Sequence, residues 1–440
     1  MKVLIIARYF SPYNAIASVR LTKLAKYLHR NGHHVTVLTA QNRDKLIDPI
    51  LLKDEQEIDV IIRAENSRGY HRLFDLVYGA YKKVAKTTAQ SMTPAAPAAG
   101  SAGESKSFSA SIKEFVRQWM YILENLDFAR QAKRELSIRQ GDFDVMLSSY
   151  GPFSSHLLAL HYHRKDPGMK WIADFRDPVE FTEEKTLAGR WARSFRQKVY
   201  RNTDVVTAVS EGTLSSLQVP VELKTCAITN GFDPEDLKSV QASSVQSGMF
   251  HMVYPGMIYK GKQNFGSLFR ALSELEQENR IVREKVRVTY AGPDFHILQA
   301  FAAEWNMESV LHDLGMINRQ ESLALQQAAH VLLLTSWNNT GNTGVVTGKF
   351  LEYLMARRPI LCLISGNEPN SALKEMIRAA KVGFCCEEAG GETEYLQMKE
   401  YLYQQYRMAV ESAENPFSPE QAVINQYTYM EKAAAFELLF

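Results

Sequence analysis

Seven small polar residues, Asn338-Asn339-Thr340-Gly341-Asn342-Thr343-Gly344, lead toward Thr347-Gly348-Lys349, with Glu352 three residues further on. A glycine-, threonine- and asparagine-rich seam that enters a helix leaves backbone N–H groups free to meet an anion, and the helix dipole favours negative charge there. Lys349 and Glu352, three apart, share one helix face, while Phe350, Leu351, Leu354 and Met355 form the packing face. A cation beside phosphates and a carboxylate one turn deeper suit a nucleotide diphosphate with its ribose behind. A capped surface helix would read the same way, so the choice rests on the surrounding elements.

Other candidates lie just past predicted strands. Pro255-Gly256-Met257-Ile258-Tyr259-Lys260-Gly261-Lys262 supplies two glycines and two lysines. Gly256 permits close approach of a ligand, and Lys260 or Lys262 can neutralise a leaving diphosphate. Gly292, and Gly315 with Ile317, end two further strands with the small residues and bare backbone that suit a flat base. Asp174, Arg176 and Asp177 follow Trp171-Ile172-Ala173 and read either as a self-satisfied ion-pair network or as a polar floor for sugar hydroxyls. The turn from Arg8 to Ala15 has no Gly-x-Gly-x-x-Gly, which argues against a dinucleotide cofactor.

The positions of these groups depend on an alternating strand and helix pattern. Val3–Ala7, the helix over Ser18–Asn31 closed by Gly32, and Val35–Thr39 give βαβ spacing and hence a parallel sheet. Strands are expected at 57–62, Val145–Leu147, Trp171–Ala173, Val205–Val209 and Thr225–Ile228. After a composition shift at Ser239–Gly248 the alternation restarts, with strands at His251–Tyr254, Val286–Ala291, Val310–Leu314, Val331–Leu334, Pro359–Ile364 and Val382–Cys386. The expected organisation is an N-terminal domain over 1–240, a nucleotide-binding domain over 249–415, and a closing helix within 416–440 that crosses back to the first domain. Each domain is α/β and doubly wound, and ligands of such sheets bind past the carboxyl ends of the strands. Residues 88–111, rich in Thr, Ser, Ala, Pro and Gly, read as a flexible insertion between two amphipathic helices, 73–85 and 112–134. Such helices pack on their own domain or lie on a membrane surface.

With 45% hydrophobic and 23% charged residues the composition is that of an ordinary globular chain, and no apolar run reaches the roughly 18 residues of a membrane span. The net charge of +2 conceals an asymmetry. Residues 1–240 hold 34 Lys and Arg against 27 Asp and Glu, and residues 241–440 hold 17 against 22. A basic first half attracts anionic headgroups or lipid diphosphates. Nucleic acid is not expected as a partner, because no motif for it accompanies the charge. The four cysteines lack metal-ligand spacing and read as reduced, buried thiols of a cytoplasmic chain.

The segments Leu28–Thr39, Ser148–Pro152, Ala173-Asp174-Phe175-Arg176-Asp177-Pro178, Val209–Glu211, Thr229–Asp233, Tyr254–Gln263, Leu314–Leu334 and Lys349–Leu354 together resemble the family-4 glycosyltransferases of the GT-B fold, in the subgroup with the Ala-Asp-Phe-Arg-Asp-Pro signature. The resemblance covers nearly the whole chain. It implies two Rossmann-like domains facing across a cleft and transfer of a hexose from a nucleotide diphosphate sugar with retention and without a metal or other cofactor. It further implies an acceptor on the N-terminal domain; the basic first half and the two amphipathic helices point to a saccharide or polyprenyl-diphosphate-linked acceptor, in cell-surface polysaccharide synthesis, with peripheral contact at the cytoplasmic (inner) membrane face. Glu352 matches the glutamate that holds the donor ribose, and Lys262 the basic residue on the diphosphate, with Lys260 as the alternative. Arg176 and Asp177 fall where other members carry a His-Asp pair near the reacting sugar. Asn14, Ala15 and Ser18 occupy a loop that is usually glycine-rich and closes over phosphates. Gly256, Gly292, Ile317, Thr343, Gly344, Thr347, Gly348 and Lys349 complete the expected donor-binding set. The family's first glutamate, eight positions before Glu352, is Gly344 here, and the N-terminal glycine pair is absent. These departures leave open a GT-B-fold sugar-nucleotide epimerase or a catalytically silent nucleotide-sugar-binding homologue.

Overall fold

The computed structural model describes residues 1–41, 47–78, 108–176, 187–240, 248–340, 347–411 and 417–440. Two compact units emerge: Met1–Ile228 with Phe436–Phe440, and Thr229–Ala435.

The first unit is built on a seven-stranded parallel sheet of β1 (Lys2–Ala7), β2 (His34–Ala40), β3 (Val60–Ala64), β4 (Val145–Tyr150), β5 (Lys170–Phe175), β6 (Val205–Ala208) and β7 (Lys224–Ala227), in the order β3-β2-β1-β4-β5-β6-β7. The third strand lies later than 57–62, because Glu55–Glu57 winds into a 3-10 turn ahead of it. The winding reverses between β1 and β4, which opens a crevice at their carboxyl ends.

One buried ion pair ties the elements around that crevice together. Asp174 is 0% exposed and lies inside β5, which runs two residues beyond the expected Ala173. Its Oδ1 accepts from Arg20 Nη2 at 3.0 Å and from Thr207 Oγ1 at 2.9 Å, and its Oδ2 accepts from Ser149 Oγ at 3.1 Å. Arg20 also donates to the Ile228 carbonyl at 2.9 Å. The carboxylate is thus fully used in joining the helix Ile16–Arg30 to β4, β5 and β6. Asp174 is therefore not a floor for sugar hydroxyls, and its cation is Arg20 rather than the adjacent Arg176.

Residues 108–111, expected within the insertion, begin the helix Phe108–Glu135 instead. Phe128, Ala129 and Ala132 seal this helix onto the first core, whereas Trp119 and Leu126 nearer its start are exposed. The rest of the insertion lies outside the described residues.

The second unit carries a six-stranded parallel sheet of β8 (Phe250–Pro255), β9 (Val286–Ala291), β10 (Leu311–Asp313), β11 (Val331–Trp337), β12 (Ile360–Ser365) and β13 (Gly383–Glu387), ordered β10-β9-β8-β11-β12-β13. Val331 to Leu334 are all 0% exposed, as an apolar run in a sheet covered on both faces should be. The winding reverses between β8 and β11, so the loops after these two strands flank the ligand crevice of this unit.

The division between units falls at Ile228/Thr229, ahead of the composition shift. The segment after Ile228 is captured by the second unit: Phe232 N–H donates to the Tyr427 carbonyl and its own carbonyl accepts from Tyr429 N–H, both at 2.9 Å. Gly231 allows this approach, since a Cβ there would lie 2.8 Å from Tyr427 O. The same pairing breaks the expected closing helix into Gln421–Asn425 and Tyr429–Glu437.

Removing one partner of a buried ion pair strands the other charge. Asp174→Ala is therefore expected to destabilise the first unit by about 3–5 kcal/mol, read as a lowered urea midpoint of that unit. An unchanged midpoint would contradict the role given to this carboxylate.

Candidate functional site

In the second unit the strand ends after β8, β9 and β11 meet the helix Gly348–Ala356. Phe350, Leu351, Tyr353, Leu354 and Met355 bury one face of this helix, and Lys349 and Glu352 occupy the other. Thr347 caps it with extended backbone and no side-chain capping bond. Among the described residues, neither its Oγ1 nor the N–H groups of Gly348 and Lys349 have a hydrogen-bond partner. Polar hydrogens and the positive end of the helix dipole are thus left at one spot.

Lys349 reaches back over the strand ends. Its Nζ sits 3.9 Å from the centroid of the Tyr254 ring and donates to the Met257 carbonyl at 3.3 Å. The approach requires glycine: Gly256 has φ +109°, and a Cβ on it would stand 2.7 Å from Lys349 Cε. Gly256 N–H donates to the Ala291 carbonyl at 2.6 Å, and a Cβ on Gly292 would strike the Gly256 carbonyl at 2.7 Å. Burial pushes the Lys349 ammonium down to about 7, against the opposing pull of Glu352 and Asp294. Its proton is therefore held less firmly than that of an exposed lysine.

The loop after β8 is held from beneath. Gln263 accepts from Tyr259 N–H at 2.8 Å and donates to the Thr335 carbonyl at 3.2 Å, and Asp294 accepts from Ile258 N–H at 2.9 Å. Lys262 is exposed and lies 4.9 Å from the Trp337 ring centroid, and Lys260 is exposed on the same turn. Glu352 has Gln326 Nε2 at 3.4 Å and Arg319 Nε at 3.9 Å, and Arg319 also pairs with Asp236 at 2.8 Å. Ile317 is half-buried beyond β10, where Gly315 turns with φ +62°. Gly256, Lys260, Lys262, Gly292, Thr347, Gly348, Lys349 and Glu352 therefore all lie on strand ends, loops and one helix start around the β8–β11 switch point. Thr343 and Gly344 lie outside the described residues.

In the first unit Arg176 ends β5 and donates to the Gly151 carbonyl at 2.8 Å. Asp177 lies outside the described residues. Asn14 is exposed, Ala15 precedes the helix Ile16–Arg30 without a side-chain cap, and Ser18 is fully buried in its first turn, its Oγ without a hydrogen-bond partner among the described residues. Among the described residues, Ser148 and His156 form a contact that resembles a nucleophile and base. Ser148 Oγ accepts from Trp171 Nε1 and shares a hydrogen bond with His156 Nδ1, each at 2.8 Å. His156 is fully buried and its pKa falls to about 3 through desolvation, so it stays neutral and braces the core.

The sequence reading missed Tyr254, Arg319, Gln326 and Trp337. Tyr254 sits in an apolar strand and reads as core, and Trp337 lies beyond the expected end of its strand. No spacing signal links Arg319 or Gln326 to Glu352.

Residues 17–220 match the family described as glycosyl transferase 4-like domain. Sucrose-phosphate synthase from Thermosynechococcus elongatus superposes with a TM-score of 0.51 at 12% identity, covering 100% of this chain and 98% of that one. The lipopolysaccharide outer core galactosyltransferase WaaB gives 0.50 at 14%, with 99% and 100% covered. An E. coli trehalose-6-phosphate protein bound with UDP-2-fluoro glucose gives 0.55 at 10%, with 99% and 98% covered. The two parallel α/β units thus share the GT-B fold of these structures. No curated protein matches the sequence.

Calorimetry of UDP or GDP binding at pH 8, run in buffers of different ionisation enthalpy, should reveal net proton uptake, because Lys349 is largely neutral before the phosphates arrive. Lys349→Arg, charged throughout, should abolish that uptake. Equal uptake in both proteins would remove Lys349 from the phosphate site.

Proposed function

We propose that this chain is a retaining glycosyltransferase that moves a hexose from a nucleotide diphosphate sugar to a saccharide or lipid-linked acceptor in cell-surface polysaccharide synthesis. The observation that carries this reading is Lys349, lodged against Tyr254 and Gly256 at the β8–β11 switch point, one helical turn from Glu352. The glycosyl transferase 4-like match of residues 17–220 and the GT-B fold support it, as does the UDP-2-fluoro glucose held by one structural neighbour.

Departure of the nucleotide diphosphate is the demanding step, since charge grows on the bridging oxygen. Lys262, Lys349 once protonated on donor binding, and the N–H groups at Gly348 and Lys349, which lack partners among the described residues, stabilise this charge. In this reading they serve in place of a metal, and Glu352 accepts from the ribose hydroxyls, a charge-assisted bond. Arg176 and Asp177 are assigned to the reacting sugar, and Asn14, Ala15 and Ser18 to the phosphates or acceptor. The exposed Leu76, at 72%, and Trp119, at 51%, are apolar groups suited to an acceptor carried on a lipid at the membrane face. No helix among the described residues is long and apolar enough to cross a membrane.

Incubation with a panel of nucleotide diphosphate sugars should release nucleoside diphosphate in the presence of chelator. Lys262→Ala should lower that rate by about 10²–10³-fold. Turnover within a few-fold of the parent would overturn the assignment, and epimerised free sugar as the product would overturn the transferase reading.

A further inference from the structure

A second cavity, of about 450 Å³, lies wholly within the second unit, at the carboxyl ends of β12 and β13 and beside the starts of the helices Gly266–Gln277 and Gly391–Val410. Lys349, Glu352 and the residues from Gly256 to Lys262 are not among its lining groups. Its volume falls in the range of small-molecule sites.

Its chemistry is unlike that of a phosphate site. Phe301 and Trp305 form one wall. Both pack against the hydrophobic core on their inner side, so the aromatic wall is held in place. Trp305 is half-buried, so part of its ring borders the cavity. Carboxylates also line it: Glu304, next to Trp305, and Glu387, Glu388 and Glu392, at and after the end of β13. Glu388 is oriented by Asn264 Nδ2 at 2.7 Å and Gly366 N–H at 3.0 Å, which leaves further lone pairs on each oxygen. Arg270 is the one cation in the lining, and it is already occupied. It donates to both oxygens of Glu392, at 2.9 and 3.1 Å, and stacks 3.8 Å from the Tyr395 ring centroid.

Excess carboxylate repels phosphates and other anions. An apolar aromatic wall in the same cavity as strong acceptors suits a molecule with a C–H face and several O–H donors, because hydroxyls donating to carboxylates form charge-assisted bonds. We propose that this cavity binds an uncharged saccharide, with its ring against Trp305 and its hydroxyls on Glu304 and Glu388. The cavity also adjoins the donor-side loop. Gly366, which donates to Glu388, sits where any Cβ would collide with the Asn338 carbonyl, and Asn338 N–H donates to the Ser365 carbonyl at 2.8 Å. Occupancy would therefore be felt where the Asn338 loop begins. The inference stands apart from the transferase reading, since it requires only that the second unit hold a sugar.

The test is calorimetric titration of the full chain with glucose, galactose, maltose and sucrose, without nucleotide. At least one should bind, and Trp305→Ala should weaken it by about tenfold or more. Ser267→Leu, which fills the cavity from the helix start without touching the aromatic wall, should do the same should Trp305→Ala fail to fold. Lys349→Ala should leave sugar binding unchanged. The proposal is overturned if none of the four sugars binds at millimolar concentration, if a polyamine binds in their place, or if binding is lost in Lys349→Ala and kept in the two cavity variants.

Discussion

The second unit is organised by how closely a lysine can approach two strand ends. Lys349 reaches Tyr254 and the Met257 carbonyl only because Gly256 has no side chain, and Gly256 bonds to Ala291 only because Gly292 has none either. Three residues from three separate segments are thereby locked in one geometry. Desolvation lowers the ammonium toward neutral pH, so the site keeps a cation in reserve rather than a permanent charge. In the proposed donor site, a diphosphate would supply the counter-charge that holds the proton on Lys349. The sheet order places this group at the reversal between β8 and β11, where a doubly wound sheet opens.

The first unit achieves fixed geometry by a different means. Its β1–β4 reversal is surrounded by elements tied to Asp174, whose oxygens are shared among Arg20, Ser149 and Thr207. A carboxylate committed to four elements cannot also exchange hydrogen bonds with a substrate.

Much of the fold was legible because its signals are local. Alternating apolar runs gave the strands, Gly32 gave a helix end, and the glycines after β8 and β9 gave the ligand-side turns. The pairing of Lys349 and Glu352 on one helix face followed from spacing alone. What escaped depends on contacts distant in sequence. Arg20 and Asp174 are 154 positions apart, and Asp174 beside Arg176 invited a local pairing that burial in β5 prevents. Phe232 breaks a helix near Thr428, about two hundred residues away, through backbone bonds that no side-chain pattern encodes. Arg319 and Gln326 stand beside Glu352 through the packing of two helices, and single-chain periodicity says nothing of that.

Hydrogen–deuterium exchange with and without saturating UDP or GDP tests the donor site most directly. The account predicts slowed exchange in two segments, residues 256–262 and 347–352, because a bound diphosphate engages the free N–H groups at the helix start and immobilises the glycine turn after β8. Unchanged exchange in both segments, with protection confined to the first unit, would contradict it.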